Sequence, residues 1–289
     1  MEEEQTVRVL LLITLLLSSS FAYFKILQEL NLNDIDVPNF SEISDLAYNP
    51  KEHKLYMISD KGRLFIFRAY FDNKVHLKYL SQTPLKNKKG KKLKGKKRDS
   101  EGLIFAKNSL YASFERKLRV AKLLEDGRVV KKIKLPKALK KAKPRGSNKM
   151  LEALAYHPKY GFLTALEYAQ KGRKKCSQQI FSTSGKTWNI ELEKFKNCAI
   201  TALEVMDKES ILILERAYGG VFREFAVTLI KFNLKTKQKE ILYQISTSKD
   251  DRVENYEGLS KVGKNRYLMI SDDNDNPFAN TKLIYFEAY

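Results

Sequence analysis

EGLSKVGKNRYLMISD, Glu257–Asp272, sets out a short grammar: a carboxylate, an apolar run, a Gly-Lys-Asn turn, a second apolar run and a second carboxylate. Two apolar runs of strand length joined by a turn read as an antiparallel hairpin. The same order recurs in EISDLAYNPKEHKLYMISD (Glu42–Asp60), EGLIFAKNSLYASFE (Glu101–Glu115), EALAYHPKYGFLTALE (Glu152–Glu167) and TALEVMDKESILILE (Thr201–Glu215). The five starts lie 59, 51, 49 and 56 residues apart. A period near 50 in β-rich units is propeller spacing.

Each unit carries material for two further strands, as in RLFIFRAY and VHLKYL after the first hairpin or KLRVAKLL and RVVKKIKL after the second. Turn signals separate them (NPKEHK, DKG, EDG, HPKYG), so four strands make one blade. The fifth unit ends three strands in, at TKLIYFEAY, while YFKILQEL at residues 23–30 is a strand without a unit. The expectation is an all-β propeller of five four-stranded blades, with six as the alternative. The N-terminal strand should complete the last blade and cover its edge. With 15 Tyr and 16 Phe, short apolar runs and no sustained 3.6-residue period, a helical fold is excluded; residues 136–149 read as a basic loop.

The chain of 289 residues opens with VLLLITLLL at 9–17, too short to span a bilayer, followed by SSSFA. Residues 1–22 therefore read as a signal peptide cleaved after Ala22, with an uncleaved anchor as the alternative, and 23–289 as one domain. No transmembrane span remains after cleavage, and the expected location is periplasmic or secreted. An oxidising compartment favours a disulfide between Cys176 and Cys198, the two cysteines, over a pair of buried thiols.

The formal charge of +20 rises to +22 once the three Glu and one Arg of residues 1–22 are removed, a surface that attracts anions. The densest run, KNKKGKKLKGKKR at 86–98, has nine Lys or Arg in thirteen and no aromatic residue for base stacking. It reads as a solvated, mobile loop, or else as an arm for a polyanion or cell-envelope surface; nucleic acid is the less favoured partner. The chain is expected to be a monomer.

In a propeller the innermost strand of each blade lines the central channel, and the next strand returns beside it. The start of one and the end of the other meet at one face. That rule gathers Glu42, Glu101, Glu152, Thr201 and Glu257 with Asp60, Glu115, Glu167, Glu215 and Asp272. Two carboxylates about 4 Å apart repel by roughly 4 kcal/mol at an effective dielectric of about 20. Such a ring needs cations, shared protons or Arg. Three readings stay open: a hard-cation site, a set of local caps and ion pairs (Asp60, Glu115 and Glu215 most of all), or acid/base catalysis by two carboxylates of separated pKa. SDDNDN, residues 271–276, adds further oxygens but is not an EF-hand loop, because Phe278 and Ile284 stand where Gly and Glu are required. No G-x-S-x-G elbow exists, and His53, His76 and His157 fall in turns or an outer strand, which suits packing or surface roles.

The ordered elements SEISDLAYNP, RDSEGLIF, NKMLEALAYHP, LILERAYGG and NYEGLSKV followed by YLMISDDND resemble the exported family called esterase-like activity of phytase, over about residues 38–287. The resemblance implies an exported propeller that hydrolyses phosphate or carboxylate esters, a small anionic ester as substrate and, by analogy with calcium-dependent propeller phytases, bound Ca²⁺. Matched positions are Asp99, Glu101, Glu152, Glu215, Arg216, Glu257, Asp272, Asp273 and Asn274. The assignment that follows takes Glu42, Glu101, Glu152, Glu257, Asp272, Asp273 and Asn274 as metal ligands and Glu215, Arg216 and Asp99 as catalytic groups. The rival reading is a non-catalytic, calcium-stabilised propeller that binds a polyanion or a partner protein.

Overall fold

The computed structural model of the chain describes residues 23–116, 118–146, 150–193, 197–219, 224–248, 253–276 and 278–289. The expected signal peptide, residues 1–22, lies outside them. Among the described residues no helix is long and apolar enough to cross a membrane.

Twenty strands form five four-stranded antiparallel sheets. Blade 1 holds β2 (Ile43–Asn49), β3 (Lys54–Ser59), β4 (Arg63–Phe71) and β5 (Val75–Pro84). Blade 2 holds β6 (Ser100–Ala106), β7 (Ser109–Phe114), β8 (Arg119–Leu123) and β9 (Val129–Lys132). Blade 3 runs β10 (Leu151–His157), β11 (Gly161–Leu166), β12 (Ser177–Ser182) and β13 (Thr187–Glu191). Blade 4 runs β14 (Cys198–Val205), β15 (Ser210–Tyr218), β16 (Phe225–Asn233) and β17 (Lys239–Ser246). Blade 5 is β18 (Asn255–Gly263), β19 (Arg266–Asp272) and β20 (Lys282–Ala288), completed on its outer side by β1 (Phe24–Asn31). The β1–β20 pairing, from Phe24 opposite Ala288 to Asn31 opposite Lys282, closes the ring as the sequence predicts. Strands β2, β6, β10, β14 and β18 pack in a circle around the axis, with β18 back against β2.

Each seam between neighbouring blades has its own apolar core. Leu46, Met57 and Phe65 meet Ile270 and Tyr285 between blades 1 and 5, while Ala155, Leu163 and Trp188 meet Leu203, Ile213 and Phe232 between blades 3 and 4. Burying one such large side chain contributes about 1.5–3 kcal/mol, so the seams hold the ring without any central core. The inner strands crowd the axis, which explains the Glu-Gly pairs in the repeats. A Cβ on Gly258 would sit 2.8 Å from the Asp45 backbone, and one on Gly102 would sit 2.8 Å from Glu152 O.

Two basic segments depart from expectation. The 86–98 run is anchored, not a free loop: Leu85 and Leu93 are buried in the seam between blades 1 and 2, and Lys86 bridges to both Lys92 and Arg128. The expected loop at 136–149 is likewise more than loop over its described part, since Lys137–Lys141 form a helical turn, α1, pinned by buried Leu139; residues 147–149 lie outside the described residues. In both cases single leucines within the lysine runs supply the apolar contact that charge counting overlooks. Cys176 and Cys198 form a disulfide that ties the start of β12 to the start of β14.

Candidate functional site

The strand register defines which residues share the channel mouth. Ile43 pairs with Ser59, Ser100 with Phe114, Leu151 with Leu166, Ile200 with Glu215 and Tyr256 with Ser271. One residue further along each second strand, Asp60, Glu115, Glu167, Arg216 and Asp272 are therefore equivalent. One residue further along each first strand stand Ser44, Glu101, Glu152, Thr201 and Glu257. Two positions of the sequence alignment shift accordingly. Glu42 precedes its strand and is the counterpart of Asp99, while Arg216, not Glu215, is the fourth strand's contribution to the ring. Successive strand residues face opposite sides, so a slip of one residue turns Glu215 away from the channel. Its carboxylate instead accepts the Glu193 N–H at 3.1 and 3.2 Å. The structure does not bring Glu215 to the ring.

Nine carboxylates do converge. Asp99, Glu101 and Glu115 place one oxygen each within 4.8 Å of one another, and so do Glu115, Glu152 and Glu167. Glu257 and Asp272 close the other side, and Glu42 and Asp60 the rim. Into this ring projects Arg216, which donates to Glu167 Oε1 at 2.9 Å, to Asn255 Oδ1 at 2.8 Å and to Glu257. Glu167 and Glu257 are thereby held in place by one planar cation.

One guanidinium does not balance the charge. Burial first, then Glu257 and Glu115, raises the Glu101 pKa well above the usual carboxylate range. Burial and then Glu101 and Glu167 do the same to Glu152. Burial and Glu257 push Asp272 to about 8, and burial and Glu42 push Asp60 to about 7. Asp60 Oδ1 is buried without a hydrogen-bond donor. Carboxylates so placed keep protons at neutral pH or take up a cation.

The remaining candidate residues lie at the rim with local partners. Asp99 pairs with Arg116, and Glu42 pairs with Lys61 at 2.5 Å. Asp273 accepts the Glu42 N–H at 2.9 Å, the Asp275 N–H at 3.0 Å and the Thr281 hydroxyl at 3.0 Å, which staples blade 5 to blade 1. Asn274 takes a left-handed conformation (φ 51°) and donates its N–H to Asp272 Oδ1. SDDNDN is thus mostly a braced turn in which Asp272 alone faces the ring. The three histidines have local partners: His157 Nε2 sits 3.0 Å from Lys208 O, His53 against Tyr48 and Tyr70, and His76 beside Asp72.

Beneath the ring, buried Asp45 accepts N–H bonds from Leu46, Leu103 and Leu259, joining blade 1 to blades 2 and 5 at the axis. Sequence reasoning passed over it because its counterparts are Gly or Ala; a lone carboxylate among small residues at an axial position was the available signal.

A β-propeller whose channel mouth is lined with carboxylates around one arginine is the class that fold and site define. The chain belongs to the Phytase-like family, described as esterase-like activity of phytase, whose profile matches residues 38–275. No curated protein matches the chain. Solved structures that resemble it include "Structure of U3-55K", 10% identical, covering 86% of this chain and 77% of that one with a TM-score of 0.42, and "Crystal structure of RRP9 WD40 repeats", 8% identical, covering 92% and 98% with a TM-score of 0.44. Likeness at that level carries no argument about function.

Proposed function

We propose that the chain is an exported hydrolase of small anionic esters, phosphomonoesters foremost, working with Ca²⁺ held in the carboxylate ring. The family's esterase-like description supports ester hydrolysis. The observation that carries the metal reading is the pair of carboxylate triads sharing Glu115, with oxygens within 4.8 Å of one another. Calcium binds oxygen ligands at about 2.3–2.6 Å, so oxygens on one ion lie up to about 5 Å apart. The donor set fits, being all carboxylate oxygen with no nitrogen or sulfur. The unpartnered Asp60 oxygen at the rim is the kind of buried acceptor a cation satisfies.

When bound, calcium supplies charge neutralisation at the phosphoryl oxygens and lowers the pKa of a coordinated water. The chain's own residues do the rest. Glu115 with Asp99 and Glu101, or with Glu152 and Glu167, would hold the ion. Arg216 positions Glu167 and Glu257 through the bonds it donates to them. Asp272, its pKa pushed to about 8 by burial and Glu257, can carry a proton at neutral pH and deliver it to the leaving oxygen. An anionic substrate approaches the acidic mouth only when cations offset its charge. The basic rim of Lys61, Arg98 and Arg116 contributes part of that offset.

The Cys176–Cys198 disulfide supports an oxidising compartment, in line with export. The direct test is turnover of p-nitrophenyl phosphate and p-nitrophenyl acetate by residues 23–289, with calcium and with chelator. Calcium-dependent phosphate release is expected. Stabilisation by calcium with no turnover on either ester would favour a non-catalytic binding propeller instead.

A further inference from the structure

The two lysine-rich segments, far apart in sequence, are one surface. Residues 86–98 and 127–145 each contain nine Lys or Arg, no acidic residue and no aromatic residue. The fold joins them: Lys86 N–H donates to Gly127 O at 2.7 Å and Val129 N–H to Lys86 O at 2.8 Å. From that junction the first segment climbs to the site, where Gly95, Lys96 and Arg98 line a cavity of about 330 Å³ together with Asp60, Asp99 and Arg116. The second follows β9, the outermost strand of blade 2, through α1 to Arg145. Arg145 donates to Ala169 O at 2.7 Å, two residues beyond Glu167 of the ring. The basic band therefore leaves the channel mouth over blade 2 and returns to it at blade 3.

A second observation points to a ligand. Lys86 is paired directly opposite Lys92, and Lys122 opposite Lys131. Like charges facing each other across strands are destabilising; the Lys86 ammonium is partly satisfied by Asp126 O at 3.0 Å, and a bound polyanion would offset the remaining repulsion. The chemistry of the band narrows the ligand. Lysine dominates, presenting hydrated point charges and not the bidentate forks suited to discrete carboxylate or base contacts. The absence of aromatics removes the stacking platforms that single-stranded nucleic acid needs.

We propose that this band docks a linear, phosphate-bearing polymer other than a nucleic acid along blade 2 and that, on the hydrolase reading above, the ester consumed at the ring is a phosphate ester carried by such a polymer, for which inorganic polyphosphate serves as the binding probe. Docking itself does not depend on turnover, which lets the two claims fail separately.

The test measures binding of fluorescent inorganic polyphosphate to residues 23–289 by anisotropy, in chelator, across 50–300 mM salt. One variant replaces exposed Lys89, Lys91, Lys137 and Lys140 with Gln; a second, of equal charge, replaces exposed Lys208, Lys235, Lys237 and Lys264. The band variant is expected to bind at least tenfold more weakly, with a log–log salt slope shallower by about three, while the second stays within twofold of the parent. Equal losses in both variants would overturn the proposal, since they would report net charge alone. So would tighter binding, per phosphate, to duplex DNA or to anionic phospholipid vesicles than to polyphosphate. Glu101→Gln separates the claims: docking should be unchanged within twofold even if calcium-dependent turnover is lost. Loss of docking in Glu101→Gln would overturn the band as the binding surface.

Discussion

Arg216 of β15 donates to Glu167, the residue following β11, at 2.9 Å across the seam of blades 3 and 4, and the same guanidinium reaches Glu257 of blade 5. This cation takes the place of a carboxylate in a five-fold repeat and locks two of the others. Glu167 is fully buried and Arg216 partly so, and removing one partner of such a pair leaves the other charge uncompensated. Arg216→Ala is expected to lower unfolding free energy by about 3–5 kcal/mol in urea titrations. Arg216→Lys should recover only part of it, because a compact ammonium lacks the planar spread of nitrogens that reaches Glu167 from one end and Asn255 and Glu257 from the other. A loss below 1 kcal/mol would show that the arginine is not organising the ring.

Strand register puts Glu101 in the ring and turns Glu215 away from it. Glu101→Gln should weaken calcium binding at least tenfold by calorimetry, because it removes a ring oxygen's charge. Glu215→Gln should leave calcium affinity within twofold, because that side chain caps Glu193 behind the ring. Equal effects would mean that the two residues share a site.

How far the sequence led is clear from these two residues. Periodicity and turn chemistry were enough for the blade count, the closing strand β1 and the convergence of acidic positions on one mouth. They did not place the alignment to within one residue inside blade 4. TALEVMDKESILILER offers Glu and Arg side by side, and only the bulges between Ile200 and Ala202 and their equivalents in the other blades set which one faces the axis. A bulge is a backbone event with no side-chain signature, so the shift was invisible until strand pairs were seen. Glu115 reads from sequence most readily as a local cap, and Glu167 joins the ring without a ligand role, whereas the fold puts both in the tightest clusters.

The raised pKa values give the pH dependence its sign. A carboxyl that titrates higher in the folded than in the unfolded state binds extra protons when folded, so its contribution is complete below about pH 4 and lost as pH rises through the folded value. With Asp60 at about 7, Asp272 at about 8, and Glu215 and the buried Glu204 of β14 both pushed by burial to about 7, metal-free protein should lose stability steadily from pH 5 to pH 8.5. Calcium should raise Tm more at pH 8 than at pH 5.5, because only ionised ring carboxylates bind it. A Tm rising with pH in chelator would contradict the arrangement.

Asp45 tests the axial joint. Asp45→Ala strands the Leu103 and Leu259 N–H groups without their acceptor at the seams with blades 2 and 5. About 2–4 kcal/mol of destabilisation is expected by chemical denaturation, from roughly 1–3 kcal/mol per unsatisfied buried donor less partial relaxation.

Reduction tests the remaining covalent link. Cys176–Cys198 closes a separation of 22 residues, and breaking it should cost roughly 3 kcal/mol by the loop-entropy argument. Thermal melts with and without reductant would show the loss as a lowered Tm without loss of calcium binding.

The central claim is that the ring of blades 1, 2, 3 and 5 around Arg216 holds a hard cation. Crystals of residues 23–289 soaked in calcium, with anomalous differences collected at long wavelength, address it directly. The account predicts a peak about 2.3–2.6 Å from carboxylate oxygens of Glu115 with Asp99 and Glu101, or with Glu152 and Glu167. A ring without an anomalous peak at millimolar calcium and pH 8 would contradict it.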